Sequence, residues 1–150
     1  MEKLIILVLS FSLSLITAQS QSQQDSLSIK ETTMNYIEGW YSGDSVRMSK
    51  SLHPELAKRG IVPSKDGKSM LILKATYAEM IQWTGKRPDL LKDNKDLLRK
   101  LTILEIGKNI ATVKCESKDF IDYLHLARIN DEWKILNAIW EFNDKEVKKK

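Results

Sequence analysis

Hydrophobic and polar positions alternate most regularly near the C-terminus, over residues 118–142. This stretch, KDFIDYLHLARINDEWKILNAIWEF, predicts two β-strands joined by a two-residue turn at Asn130-Asp131. One face of the hairpin is mostly apolar, yet it carries Asp122 and Asn137. A polar group on a buried face needs a hydrogen-bond partner or a ligand. The hairpin is therefore predicted to form the floor of a binding pocket.

The pattern upstream predicts three helices and four more strands. Asp25 or Ser26 can cap a first helix, and His53-Pro54 stops the second. The predicted helices cover residues 26–41, 45–52 and 76–83, and the predicted strands cover 57–62, 69–74, 97–106 and 110–117. Helices gathered at one end of a mainly antiparallel sheet make an α+β fold.

The N-terminus has the layout of a secretory signal peptide. Leu4–Ile16 is an apolar run after Lys3, and small residues follow, so cleavage after Ala18 or Ser20 is expected. An uncleaved anchor is the alternative, although the run is short for a membrane span. The expected organisation is a signal peptide at 1–20, one domain at 26–142 and a basic tail at 143–150, in a secreted or periplasmic bacterial protein without membrane attachment after cleavage.

Composition excludes several classes of function. The net charge is only +4 and the lysines are interleaved with acids, which argues against nucleic-acid binding. A single cysteine, Cys115, allows no internal disulfide and is expected to be buried and inert. With two histidines and no ligand-like spacing, no metal site and no cofactor are expected.

Three blocks of residues resemble a known family. They are YIEGWYSGD at 36–44, LHPELAKRG at 52–60, and DYLHL at 122–126 followed by WKI at 133–135. Together they are similar to the nuclear transport factor 2-like superfamily, and more narrowly to its lumazine-binding branch, related to SnoaL-like cyclases and ketosteroid isomerase. The resemblance implies a cone-shaped, bent antiparallel sheet wrapped around three helices, a cavity inside, and often a homodimer formed through the sheet.

Regular hairpin geometry divides the candidate residues between two faces. A two-residue turn pairs Leu124 with Asn137 and Asp122 with Ile139, and it places Tyr123 and His125 on the other face, opposite Ala138 and Leu136. Trp140 also falls on that second face, although a single bulge would exchange part of the assignment. Asp122 and His125 therefore cannot both line the cavity of a regular sheet. The Asp122 face is taken as the concave one.

Asp122 is the main candidate for chemistry. On an apolar floor it is a candidate general base, with His53 at the cavity mouth as a second catalytic candidate. The simpler alternative is that Asp122 bonds to backbone or to Arg59. No second inward carboxylate is expected, which weighs against isomerase chemistry.

The large aromatic side chains complete the predicted site. Tyr36, Trp40, Trp83 and Trp140 are expected to shape the interior, and flat rings suit a flat ligand. The full set of predicted ligand-binding residues is Tyr36, Trp40, His53, Arg59, Trp83, Asp122 and Asn137.

Three functions remain open. The first is an exported, non-catalytic domain that binds a small apolar or aromatic molecule. The second is a cofactor-free isomerase, dehydratase or cyclase that uses Asp122 as base, with His53 or Tyr36 polarising a carbonyl. The third is a homodimeric interaction module.

Overall fold

The computed structural model describes residues 2–92 and 97–143. In these residues the chain forms three helices, α1 (Glu2–Ser42), α2 (Ser45–Ser51) and α3 (Tyr77–Gly85). Six strands accompany them: β1 (Leu52–Pro63), β2 (Met70–Ala75), β3 (Leu98–Ile106), β4 (Ile110–Ser117), β5 (Phe120–Ile129) and β6 (Glu132–Phe142). The α+β fold class is confirmed. No helix in the described residues is long and apolar enough to cross a membrane.

Local signals set most of the helix ends. Gly43 takes the left-handed conformation (φ 70°) after α1, and Asp44 caps α2 by accepting from the backbone amides of Val46 and Arg47. Thr76 and Glu79 form a capping box at the start of α3. The predicted cap at Asp25 or Ser26 is wrong, because α1 runs through this position without a break. Asp25 instead binds Arg128 and accepts from the Trp133 indole (3.1 Å).

The strands form one mixed sheet in the order β2-β1-β6-β5-β4-β3. All neighbours are antiparallel except β1 and β6, which are parallel. β1 starts directly after α2, five residues earlier than predicted, with a register shift between Leu52 and Ala57. Helix α1 packs on β6, β4 and β3, and its Thr32 hydroxyl donates to the Trp133 carbonyl oxygen (3.0 Å).

The β5–β6 hairpin confirms the predicted turn and corrects the predicted register. Asn130 and Asp131 have φ of 51° and 63°, as a tight hairpin turn requires. Pairing is as predicted from Ile129–Glu132 to Leu126–Ile135 and then shifts, so that His125 faces Asn137 and Asp122 faces Trp140. Leu136 is the extra residue of a bulge. Beyond it, the faces of β6 are exchanged relative to a regular strand.

The core lies between the helices and the concave face of the sheet. Its fully buried members include Ile29 and Ile37 of α1, Met48 of α2, and Leu124 and Ile135 of the hairpin. Cys115 is buried in the same cluster, as predicted. Residues 144–150, which make up nearly all of the predicted basic tail, lie outside the described residues.

Candidate functional site

A cavity of about 320 Å³ opens between the helices and the β2 end of the sheet. Most of its surface is apolar and aromatic, with a small polar group at one side. The lining residues come from α1, α3 and four strands: Tyr36, Ile37, Trp40, Lys58, Leu73, Lys74, Ala75, Met80, Trp83, Phe120, Asp122 and Trp140.

Three of these residues form a closed hydrogen-bonded cluster. The Tyr36 hydroxyl donates to Asp122 Oδ1 (2.8 Å). The Lys58 ammonium donates to the same oxygen (3.0 Å) and to the Tyr36 hydroxyl. One member comes from α1, one from β1 and one from β5, so the cluster depends on the whole domain being folded.

The members of this cluster are buried, so the charge of one strongly affects the others. Asp122 is 1% exposed and Lys58 is 9% exposed. Burial raises the pKa of Tyr36 well above its usual range, and the nearby Asp122 carboxylate raises it further. The phenol therefore stays protonated and acts as a hydrogen-bond donor.

Cys115 lies beside Asp122 on the neighbouring strand β4. Burial, with a smaller contribution from the Asp122 carboxylate, raises the pKa of its thiol to about 12. A thiol with such a pKa carries almost no thiolate at neutral pH. The predicted inert cysteine is in keeping with this environment.

Trp140 forms an aromatic wall next to the cluster. Its ring meets Phe120 edge to face at 5.1 Å, and the Lys58 ammonium lies 5.4 Å from the ring centre. Gly60, the neighbour of Trp140 on β1, makes room for the indole, because a Cβ at this position would overlap the ring. Lys58 also lies 5.1 Å from the centre of the Tyr36 ring, so its charge faces two aromatic rings.

The cavity mouth combines exposed aromatic and basic side chains. Trp83 of α3 is 41% exposed, and Lys74 of β2 is exposed. Deeper in, Trp40 is held by Arg87, whose guanidinium lies 4.1 Å from the ring centre and whose Nε donates to the Trp40 carbonyl oxygen (3.0 Å).

The structure brings together four of the predicted site residues: Tyr36, Trp40, Trp83 and Asp122. His125 and Tyr123 lie exposed on the outer face, which agrees with the division between the two faces. Whether any of the four contacts a ligand stays a prediction.

Three other predicted residues lie away from the cavity lining. Asn137 faces His125 because of the bulge at Leu136. Arg59 is exposed, since its neighbours Lys58 and Gly60 take the inward positions of β1. His53 lies near the start of β1, where its Nδ1 accepts from the Glu55 amide (3.2 Å).

Sequence reasoning missed Lys58 as the partner of Asp122. The signal was present, because Leu56, Lys58, Gly60 and Val62 alternate along β1 and all four are buried. A lysine in phase with apolar residues would have indicated a buried ammonium. Trp140 was expected in the interior, but the regular register placed it outside, and only the bulge turns it inward.

The polar cluster and the aromatic walls together suit the recognition of a ligand. No group of three or more acidic, histidine or cysteine side chains suited to a metal occurs in the described residues. The cluster presents a neutral pair of opposite charges beside aromatic walls. Such a site can orient a flat molecule through a few hydrogen bonds.

The family described as "Putative lumazine-binding" matches residues 24–141. The chain belongs to this family. No curated protein matches it. The putative lumazine-binding assignment confirms the resemblance seen in the three sequence blocks.

Solved structures agree on the fold. An NTF2-like protein of unknown function from Silicibacter pomeroyi aligns with a TM-score of 0.63 and 14% identity, over 81% of this chain and 98% of that chain. An NTF2-like protein with a cystatin-like fold from Novosphingobium aromaticivorans gives 0.62 and 14%, over 86% and 88%. A "putative dehydratase from the NTF2-like family" of Streptomyces avermitilis gives 0.52 and 12%, over 81% and 97%.

Proposed function

We propose that this protein is an exported, non-catalytic domain that binds one small, flat, largely apolar molecule in its cavity. The observation that carries the proposal is an aromatic cavity of about 320 Å³ whose buried charges, Lys58 and Asp122, already neutralise each other. Membership of the family described as "Putative lumazine-binding" supports a small-molecule ligand.

The cavity suits a molecule of one to three fused rings. Its volume is at the lower end of the roughly 300–1,000 Å³ that ligand pockets span. Trp140, Phe120 and Trp40 offer ring faces and edges, and Trp83 stands at the entrance. Aromatic walls gain most from a flat ligand that buries its faces against them.

The pairing of Asp122 favours binding over catalysis. An effective general base needs an accessible acceptor that gains a proton in the transition state. Here the Lys58 ammonium and the Tyr36 hydroxyl both stabilise the carboxylate. The second candidate function is a cofactor-free isomerase, dehydratase or cyclase, because Asp122 lines the cavity and one structural neighbour is described as a "putative dehydratase".

Isothermal titration calorimetry with 2-naphthol and with lumazine tests binding directly. A bicyclic ligand that fills the cavity should bind with a Kd tighter than about 0.1 mM. Ala75→Trp places a large ring in the cavity lining and should abolish binding, whereas Ile110→Trp, at an exposed position outside the lining, should not. If neither compound binds, or if Ala75→Trp binds as well as the wild type, the proposed function is wrong.

The export part of the proposal rests on the N-terminal segment. The family match begins at residue 24, after the apolar run Leu4–Ile16. Expression of the full chain in a bacterial host, followed by intact mass measurement, should give a periplasmic or secreted product that begins after Ala18 or Ser20. An uncleaved product in the cytoplasm would contradict export.

A homodimeric interaction module is the third candidate function. Tyr123 and Ile139 face each other across β5 and β6 on the outer face of the sheet and are 40% and 47% exposed. An apolar pair on a sheet face favours contact with another surface. Light scattering after size exclusion should give twice the monomer mass, and a monomer at high concentration would exclude this candidate.

A further inference from the structure

The polar cluster leaves two hydrogen-bonding positions that no described residue fills. Asp122 accepts both of its protein hydrogen bonds on Oδ1, and its Oδ2 has no partner in the described part of the chain. Oδ2 is not fully enclosed, although Asp122 as a whole is only 1% exposed, so this oxygen reaches a small accessible space. Because Asp122 lines the cavity, that space is the cavity.

Lys58 offers the complementary group. An ammonium has three N–H donors. Two of them reach Tyr36 and Asp122, so one has no partner among the described residues. Lys58 also lines the cavity, and its Nζ lies 3.0 Å from Asp122 Oδ1. Since the two carboxylate oxygens share one carbon, a donor and an acceptor lie side by side in the wall.

The charge of a ligand decides whether it can bond favourably to both Lys58 and Asp122. The Lys58 and Asp122 charges cancel, so a neutral ligand adds no buried charge, whereas a ligand with its own charge adds one that this wall does not neutralise. A ligand with only an acceptor leaves Oδ2 without a donor, and a ligand with only a donor leaves the ammonium without an acceptor. Each group left unsatisfied in a buried site costs affinity.

From this juxtaposition we infer that the ligand is a neutral, flat heterocycle with a lactam edge, that is, a ring N–H next to a ring carbonyl. The carbonyl accepts from Lys58, the N–H donates to Asp122 Oδ2, and the rings lie against Trp140 and Phe120. This inference rests on the proposed binding function and adds the chemical class of the ligand.

Four bicyclic probes of nearly the same size test the inference on the unmodified chain. 2-Quinolone carries the lactam edge, coumarin has a lactone ring oxygen in place of the N–H, naphthalene has neither an N–H nor a carbonyl, and 2-naphthoate is an anion. Calorimetric titration should give the lowest Kd for 2-quinolone, roughly 10- to 100-fold below that of coumarin, because a missing partner leaves a buried group unsatisfied.

The affinities of the four probes distinguish failure of the lactam inference from failure of the proposed binding function. Equal affinity for 2-quinolone, coumarin and naphthalene would overturn the lactam inference and leave the binding function standing. Tighter binding of 2-naphthoate than of 2-quinolone would overturn the preference for a neutral ligand. If none of the four probes binds while 2-naphthol does, the lactam inference alone fails. If 2-naphthol and lumazine do not bind either, the proposed function fails as well.

Paired substitutions test whether Lys58 and Asp122 cause the preference for 2-quinolone over coumarin. The double variant Lys58→Met/Asp122→Leu removes both charges together and should bring the ratio of the coumarin and 2-quinolone Kd values close to one. The matched control Lys134→Met/Glu132→Leu removes an ion pair outside the cavity lining (2.9 Å) and should keep the wild-type ratio. A wild-type ratio in a folded Lys58→Met/Asp122→Leu variant, checked by circular dichroism, would contradict the assignment.

Discussion

At the scale of single residues, the site depends on one lysine placed within reach of one aspartate. Asp122 and Lys58 are 64 positions apart in sequence and 3.0 Å apart in space. Either charge would be costly at such burial without the other, because an isolated buried charge loses its hydration. Each charge is therefore tolerated in the buried site because the other one neutralises it.

A double-mutant cycle should show this dependence. Asp122→Leu leaves the Lys58 ammonium buried without its counter-charge and should lower the free energy of unfolding by about 3–5 kcal/mol. The double variant Lys58→Met/Asp122→Leu should recover most of that loss. Urea unfolding at pH 7 measures both, and a double variant as unstable as the single variant would argue against mutual neutralisation.

Three buried acids with raised pKa values, Tyr36, Tyr41 and Cys115, make stability fall at high pH. Burial raises the pKa of Tyr41 to about 12 and that of Cys115 to about 12. Above about pH 9–10 the unfolded chain loses these protons while the folded chain keeps them, so each group lowers the free energy of unfolding by about 1.4 kcal/mol per pH unit up to its folded pKa. This stability is fully present at neutral pH.

Tyr41→Phe should make the decline between pH 10 and 11.5 shallower, as measured by urea unfolding at several pH values. At pH 7 the variant should instead be less stable, because the Tyr41 hydroxyl interacts with Ser117 and Asp119 at 3.1 and 3.0 Å. An unchanged slope would show that Tyr41 does not contribute to alkaline unfolding.

At the scale of elements, local chemistry was predictable and register was not. The Asn130-Asp131 turn, the Asp44 cap and the Thr76–Glu79 capping box follow from residues that are close in sequence. The bulge at Leu136 adds one residue to a strand, and no residue type at that position indicates it. For that reason Asn137 was placed in the cavity and Trp140 on the outer face.

The contact between Gly60 of β1 and Trp140 of β6 fixes the position of a ring that lines the cavity. Gly60→Ala puts a methyl group where the indole lies, so the ring must move, and the cavity lies beside it. We expect 2-naphthol affinity to fall at least about tenfold, since the packed interior has little room for a displaced ring. Gly85→Ala is the matched control, because its new methyl would be in ordinary contact with Ser45.

Calorimetry on both variants makes the comparison, with thermal unfolding to confirm that each is folded. Equal affinity in the Gly60→Ala variant and the wild type would mean that the Trp140 ring does not limit the cavity. Reduced affinity in the Gly85→Ala variant would point to a general loss of order.

At the scale of the whole molecule, the fold class could be predicted because it depends on the order and length of elements, which the hydrophobic pattern carries. The site could be predicted only in part, because it joins α1, β1 and β5 through pairings distant in sequence. Asp122, Tyr36, Trp40 and Trp83 were expected at the cavity from polarity and size, and all four line it. Lys58 required knowledge of which face of β1 is buried.

Strand β2 forms one wall of the cavity and is one of the two edge strands of the sheet. It is paired on one side only, with β1, and Met70 to Leu73 are 47–62% exposed. Few packed contacts hold it, so local opening of β2 should need less free energy than opening of the core strands. The cavity is thus enclosed on one side by a strand that opens more easily than the core strands.

Amide hydrogen exchange should therefore be fast in β2 and slow in β5, and a bound molecule should slow exchange most at Leu73 to Ala75, which line the cavity. Exchange in β2 as slow as in β5 without ligand would contradict this. The consequence concerns time rather than affinity: opening of β2 would give a bound molecule a second way out, beside the mouth at Trp83. Substitutions that tighten the β1–β2 pairing would then lengthen residence without altering any group that touches the ligand.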